Sequence, residues 1–458
     1  IMEVGYVALA AAGRTVKNLL QSLTAVYIGC HLTEWPMVDQ GPEESGGCEQ
    51  RSAGTGQAGS IMSNRFSFVF GMNGPSVQFD TDASSGLAAL ETGTIALDER
   101  KTNATMAMCM GIAMTLTPLT WIHRVGLGQI SPSGRCLSFD QSATGWTKCE
   151  GGCAFAVDNL TEKVEGISII DDSRYYLGTV GTVKINHAGM QTSLGTPHGP
   201  AVQLLVAEAC RQAHVSPCSL DGVECMADGQ MMNDAVEVAS LRKVACSEER
   251  VPLMLSAMKS NYGNAIQGSS LASMTKALYC QAYGYQQPSI HLVAVNPQID
   301  DFMEGSMFMN QDIVPHSTKS SLYAAMSIGW GGTMGCGICS CGVDPARVRP
   351  VETCYPFKPM VFWPGGGGEE FPEPPNGYYI SGSWTAWEEP QRMTRESAGC
   401  WTFIVTLGVN RFEEFQIHYD GDANLALHPG VSAGTNGSAA EGPNSGAFGL
   451  HWLGDGRG

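Results

Sequence analysis

The stretch from Val77 to Leu97 constrains the fold most. A short apolar run, Val77 to Asp80, ends in a turn of small residues. At Ser84 it gives way to a helical pattern, with Leu87, Leu90, Thr94 and Leu97 recurring on one face at spacings of three and four. A strand that feeds straight into a helix is the unit of an α/β fold, and the first 343 residues repeat it. Ala25 to Ile28 and Phe66 to Phe70 also read as strands, and Val4, Val7, Ala8 and Ala11 mark an amphipathic opening helix. A second alternating set begins near Gly178, with helical spacing over Ala201 to Ala213, Asp234 to Val244 and Gly268 to Ala282, and ends in the glycine-rich segment Gly329 to Gly337. The two sets suit related halves, although the residues themselves show no repeat.

Past Val343 the texture breaks. Eight prolines between Pro345 and Pro375 surround Gly365 to Gly368, which excludes a continuous helix or central strand and predicts an extended linker. The four glycines lack a following Lys-Ser/Thr, so they do not form a phosphate-cradling loop. Beyond Tyr378, Trp401, Phe403, Val405 and Leu407 alternate with smaller or polar residues, as do Phe415, Ile417 and Tyr419, and Asp420-Gly421-Asp422 makes a turn. The expectation is a small β-sandwich.

A chain of 458 residues, 43% hydrophobic and only 15% charged, supports a large buried body plus a smaller unit. Its net charge of -18 repels phosphate backbones and anionic lipid, which argues against nucleic-acid and membrane-surface partners. No apolar run approaches the roughly 20 residues of a transmembrane helix. The 16 cysteines lie scattered in apolar and glycine-rich segments and read as reduced core thiols, so a soluble protein of the cytoplasm or plastid stroma is expected. Cys336, Cys339 and Cys341 lack a second ligand pair, so no metal is expected, and no cofactor. Asn103, Asn159 and Asn436 head chance glycosylation sequons. The chain opens at Ile1 inside a helical pattern, and the expectation is that an upstream segment has been removed or left out.

Five segments carry a resemblance. Gly54 to Gly71 leads through Asn73-Gly-Pro-Ser-Val-Gln-Phe-Asp80 to Asp80-Thr-Asp-Ala-Ser-Ser85. Ser131-Pro-Ser-Gly-Arg-Cys-Leu-Ser-Phe-Asp140 precedes Glu150-Gly151, with Lys148 and Cys149 between. Glu224-Cys-Met-Ala-Asp-Gly-Gln230 is followed by Asn233-Asp234 and Glu237, then by Lys259-Ser-Asn-Tyr-Gly-Asn264 and Ser327-Ile-Gly-Trp-Gly-Gly-Thr333. In order and spacing these resemble the β-ketoacyl synthase family, as in the ketosynthases of type I polyketide synthases.

The resemblance implies a thiolase-like five-layer αβαβα fold. Residues 1–165 and 166–345 would be its two halves, 346–376 a linker and 377–458 a small β-sandwich-like domain loosely similar to starch-binding modules. It also implies that the chemistry is missing. The family's nucleophilic cysteine sits at a helix N-terminus that favours its thiolate, and Ala83 stands there. Its two histidines are matched by Met226 and Asn264, neither of which moves a proton near neutral pH, whereas Lys259 is kept. Cys149, Cys225, His187 and His198 read as core or structural residues, and no histidine is placed to activate Ser84. What the resemblance leaves is binding. Backbone N–H groups of Ala83 and Trp330 would polarise a thioester carbonyl, with Gly331, Asp82 and Asp228 around them. The implied partners are a second copy or an active ketosynthase, an acyl carrier protein, or a larger assembly. The alternative is an acyl-transferring or polyketide or fatty-acid synthase component with a rearranged site around Asp82, Asp228, Lys259 and Asn264.

Overall fold

The computed structural model describes residues 1–31, 34, 58–98, 103–164, 167–170, 176–246, 252–299, 306–316, 319–344, 360–363, 366–369, 373–397, 399–435, 438 and 440–456. The chain divides into two compact units, Ile1–Pro350 and Val351–Gly458. Most of the proline-rich stretch lies outside the described residues; within it, Met360–Trp363 and Gly366–Glu369 pair as an antiparallel hairpin.

The first unit uses one pattern twice. Its first half runs α1 (Met2–Ala11), β1 (Thr24–Gly29), α2 (Gly59–Phe70), β2 (Ser76–Phe79), α3 (Ser85–Ala96), β3 (Met106–Ala113), α4 (Leu119–Gly126) and β4 (Gly151–Val157). The sheet order is β2-β1-β3-β4, with β1 parallel to both neighbours and β4 antiparallel to β3. The second half runs β5 (Thr179–His187), α5 (Gly199–Gln212), β6 (Gly222–Glu224), α6 (Met231–Ala245), β7 (Leu253–Ser256), α7 (Ser269–Tyr283), β8 (Met307–Met309), β9 (Ser320–Ile328) and β10 (Thr333–Gly342). Its sheet order is β8-β7-β6-β9-β10-β5. The run β7-β6-β9-β10 reproduces β2-β1-β3-β4 strand for strand, directions included. The repeat is carried by topology rather than by residue identity.

Strand alternation sorts the side chains into layers. Val26 and Ile28 of β1 and Met106, Met108 and Met110 of β3 pack against Leu9, Phe66 and Phe70 of α1 and α2. The intervening Ala25, Tyr27, Ala107 and Cys109 face the opposite way, onto Leu87 and Leu90 of α3 and Leu271 and Met274 of α7. Tyr323 and Ala325 of β9 close this central layer from the other side, while Ala324 and Met326 join α5 and α6. Two sheets and three helical layers result, the five-layer arrangement expected. The two central helices approach closely at one point: a Cβ on Gly86 would lie 2.6 Å from Ser270 Oγ, the oxygen that accepts the Leu87 N–H at 3.2 Å.

Three element readings change. Phe66 to Phe70 is the last turn of α2, not a strand: Ser63, Phe66, Ser67 and Phe70 are buried at helical spacing, Phe68 points to solvent, and Gly71 ends the helix at φ 67°. The opening helix forms, but it buries Gly5 and Leu9 and leaves Val7 exposed, because glycine at position 5 lets the Phe66 ring approach. In the second unit only Cys400–Thr402 of the Trp401 to Leu407 alternation is a strand, in a hairpin with Thr394–Ser397.

Among its described residues, and apart from the two hairpins, the second unit is one antiparallel sheet of β11 (Tyr378–Gly382), β12 (Gln391–Arg392), β13 (Phe412–Tyr419), β14 (Ala426–Pro429), β15 (Ala440–Asn444) and β16 (Trp452–Asp455). β11 lies along one edge of β13, whose other edge is shared between β16, on Phe412 to Phe415, and β14, on Ile417 and His418. Ile380 and Ala426 are buried, as are Ser381 and His418, whose Oγ and Nε2 stand 2.6 Å apart. Trp401 meets Tyr378 edge-on, and Trp452 stacks on Phe415. These two tryptophans serve packing.

Candidate functional site

The turn between β2 and α3 is fixed by its own side chains. Ser84 Oγ donates to the Thr81 carbonyl at 2.8 Å, and Ser85 Oγ donates to the Asp82 carbonyl at 2.7 Å while accepting the Thr81 N–H. Asp82 adopts φ 57°, a left-handed conformation that aspartate tolerates better than most residues but that still costs on the order of 1 kcal/mol. Its carboxylate recovers that cost: Oδ1 accepts from Arg124 Nη2 of α4 at 2.6 Å, and Oδ2 accepts the Trp330 backbone N–H at 2.9 Å. Ala83 follows, only 1% exposed, its carbonyl accepting from Ser327 Oγ at 2.7 Å.

Ala83, Met226 and Asn264 converge on one cavity of about 70 Å³, which Asp82, Asp228 and Trp330 also line. Met226 and Ala227, just past β6, donate their N–H groups to the two oxygens of Glu237 at 2.8 and 3.0 Å. Asn264 is committed too, its Oδ1 accepting the Ile266 N–H at 2.9 Å. Lys259 lies behind this wall, 1% exposed, on the one-turn helix Lys259–Tyr262. Burial pushes the Asp228 and Glu237 carboxyls up to about 6 against the pull of Lys259. It pushes Asp234 well above the carboxylate range, with Asp228 adding to the rise.

Two expected binding roles change. The Trp330 N–H is taken by Asp82, so as the loop stands it offers no donor to a substrate carbonyl. Gly331 lines a separate space of about 170 Å³ beside His187, whose Nε2 lies 3.0 Å from the Gly331 carbonyl. Sequence reasoning also missed two residues of the inner cavity. His198, set aside as structural, lines it with Nδ1 buried and without a hydrogen-bond partner among the described residues, and Arg124 had no signal at all. Position 83 is alanine and Ser84 Oγ is tied to Thr81, so neither residue at the start of α3 offers that wall a free nucleophile.

A second cavity, of about 730 Å³, adjoins the first. Met62, Met114 and Leu116 give it apolar walls, and ion pairs line the remainder. His31 Nδ1 and Asp80 Oδ2 are 2.7 Å apart; that bond raises the histidine, and it holds the carboxyl down against the upward push of burial. Lys148 Nζ stands 3.6 Å from Glu34 Oε1 and donates to Thr120 Oγ1 at 2.6 Å; burial lowers the lysine.

Two βα halves back to back, with a buried helix N-terminus meeting loops from the other half, define a condensing-enzyme scaffold. The chain belongs to the β-ketoacyl synthase family: the family's N-terminal domain matches residues 1–163 and its C-terminal domain residues 177–293. One of the phenolphthiocerol/phthiocerol polyketide synthase polypeptides of Mycobacterium tuberculosis is 30% identical over 307 residues, 66% of this chain and 19% of that protein. The hybrid PKS-NRPS synthetase pytA of Aspergillus terreus is 27% identical over 300 residues, 66% of this chain and 43% of its own length. The chain thus spans less than half of either relative. The ketosynthase from module 6 of the bacillaene synthase of Bacillus subtilis superposes with TM-score 0.65 at 22% identity, covering 74% of this chain and 58% of that one. An oxazolomycin ketosynthase domain of Streptomyces albus gives 0.64 at 24%, covering 83% and 60%. Both likenesses establish the thiolase-like fold. Among the described residues no helix is long and apolar enough to cross a membrane.

Proposed function

We propose that this chain is a ketosynthase homologue that neither condenses nor decarboxylates acyl thioesters, and that it serves as a structural, scaffold or acyl-binding subunit of a larger assembly. One observation carries the reading: the cavity at the N-terminus of the buried helix brings together Ala83, Met226 and Asn264, which supply no nucleophile and no proton carrier. His198 adds an imidazole to that lining, while position 83 carries a methyl group in place of a thiol. At about 70 Å³ the inner cavity has room for a few waters, whereas about 730 Å³ is the size of a small-molecule site, so a docked acyl chain belongs in the outer one. Partners follow from the same reading: a second copy or an active ketosynthase, an acyl carrier protein, and a reducing compartment, cytoplasm or plastid stroma, for the buried thiols.

Incubation with malonyl and acyl thioesters, followed by intact-mass spectrometry, tests this. The expected result is no acyl adduct and no turnover above solvent background, with saturable, non-covalent association on titration with an acyl carrier protein. Turnover that disappears with His198→Gln or Asp228→Asn would instead support the second reading, a rearranged acyl-transferring site. The observation favouring that reading is a carboxyl near 6 in the same wall as an imidazole.

A further inference from the structure

Among the described residues, Lys148 is the lysine that lines the outer cavity. Backbone bonds on either side fix its place: the Asn264 N–H donates to the Thr147 carbonyl at 2.8 Å, and the Cys149 N–H donates to the Asn264 carbonyl at 3.1 Å. The side chain is only 4% exposed. Nζ donates to Thr120 Oγ1 at 2.6 Å but stands 3.6 Å from Glu34 Oε1, too far for a strong hydrogen bond. Glu34 is itself occupied elsewhere, its Oε2 accepting the Leu116 and Thr117 N–H groups at 2.8 and 2.9 Å. Burial therefore outweighs the pull of that carboxylate and lowers the lysine. An amine placed in this way is a nucleophile, whereas an exposed lysine is held as the inert ammonium. Met62, Ile112, Met114 and Leu116 line the same cavity, and about 730 Å³ has room for an aliphatic chain.

We propose that Lys148 is a covalent capture site for aliphatic aldehydes and ketones, which it holds as an imine. Nζ attacks the carbonyl carbon and the C–N bond forms. Glu34, linked to the amine through the Thr120 hydroxyl, takes the two nitrogen protons in turn and passes both to the carbonyl oxygen. The C–O bond then breaks, water leaves and the C=N bond remains, with no oxidant or reductant consumed. Capture of this kind is separate from thioester docking and holds whether or not acyl groups enter the cavity.

The chain is incubated with octanal, and imine is trapped at timed intervals with sodium borohydride. Alkylation is then mapped by peptide mass spectrometry, with exposed Lys17 and Lys319 and buried Lys259 as references. The expected result is labelling at Lys148 at least tenfold faster than at Lys17 or Lys319, a preference lost with acetaldehyde, whose short chain cannot use the apolar walls. Glu34→Gln keeps an acceptor for the Leu116 and Thr117 N–H groups and removes a charge that favours the ammonium. Electrostatics alone would therefore speed labelling in that variant. Loss of the proton carrier should instead slow it at least tenfold. Labelling of Lys148 no faster than that of the exposed lysines would overturn the proposal, as would unchanged or faster labelling in Glu34→Gln. Alkylation of Lys259 in step with Lys148 would overturn it too, because the reagent would then be reading an opened core.

Discussion

Asp228 shows what the buried acids contribute. Its carboxyl is pushed up to about 6 in the folded chain, from 3.8 in an unfolded one, because burial outweighs the pull of Lys259. A raised folded value means that folding favours the protonated form. The contribution is full below about pH 4 and is lost as pH rises through about 6. Asp228→Asn keeps an acceptor for the Gln230 N–H but carries no charge to bury. Its stability relative to the parent should be about 2 kcal/mol more favourable at pH 7.5 than at pH 4, read from urea unfolding at both pH values. Asp82 matters differently. Because it occupies the Trp330 N–H, restoring the family side chains with Ala83→Cys, Met226→His and Asn264→His should leave self-acylation slow. Adding Asp82→Ala frees a donor of the kind worth 10²–10³ in rate and should speed adduct formation at least tenfold, followed by mass spectrometry of quenched samples. Ala83, Met226 and Asn264 could be singled out in advance because each lies within a long motif whose frame is intact, and the fold brings them to one cavity. Arg124 and His198 were not, since only tertiary packing brings α4 and the start of α5 to that wall.

The helix that carries the site is positioned by what β1 lacks. A Cβ on Gly29 would lie 2.5 Å from the Ser85 carbonyl carbon and 2.6 Å from the Gly86 nitrogen, both backbone atoms of the first turn of α3. Neither can give without moving the helix, so Gly29→Ala should cost roughly 2–3 kcal/mol in urea unfolding. Gly181 of β5 is the contrast: its nearest neighbours, the Ile338 carbonyl oxygen and Ala213 Cβ, stand at 3.6 and 3.7 Å, and Gly181→Ala should stay within about 0.5 kcal/mol of the parent. The same logic explains which elements could be read in advance. α5, α6 and α7 were placed correctly because their apolar residues recur at helical spacing. Phe66 to Phe70 misled because an aromatic, β-branched run looks like a strand unless the buried Ser63 and Ser67 are counted on the same face. Small side chains where helices touch carry no hydrophobic signal, although they set the geometry.

The doubled architecture leaves its halves unequally covered. In the second sheet β8 lies beside β7 and β5 beside β10, whereas their first-half counterparts β2 and β4 end their sheet with no further strand among the described residues. An uncovered edge presents unpaired backbone groups to another chain. The second copy that the family resemblance implies as a partner would have the edge of β2 available for pairing. The ladder sets which groups are available: the Pro75 and Phe79 carbonyls accept from Val26 and Cys30, so odd-numbered residues turn their backbone groups toward β1 and Ser76 and Gln78 turn theirs outward. Ser76→Pro deletes an outward N–H while sparing the β1 ladder, a substitution edge strands accommodate. The purified chain should sediment as a dimer at micromolar concentration, and Ser76→Pro should shift it to monomer with its far-ultraviolet dichroism unchanged. A parent chain that sediments as a monomer would remove the β2 interface. A variant that stays dimeric would move the interface to another surface, with the edge of β4 next to be tested by the same kind of substitution.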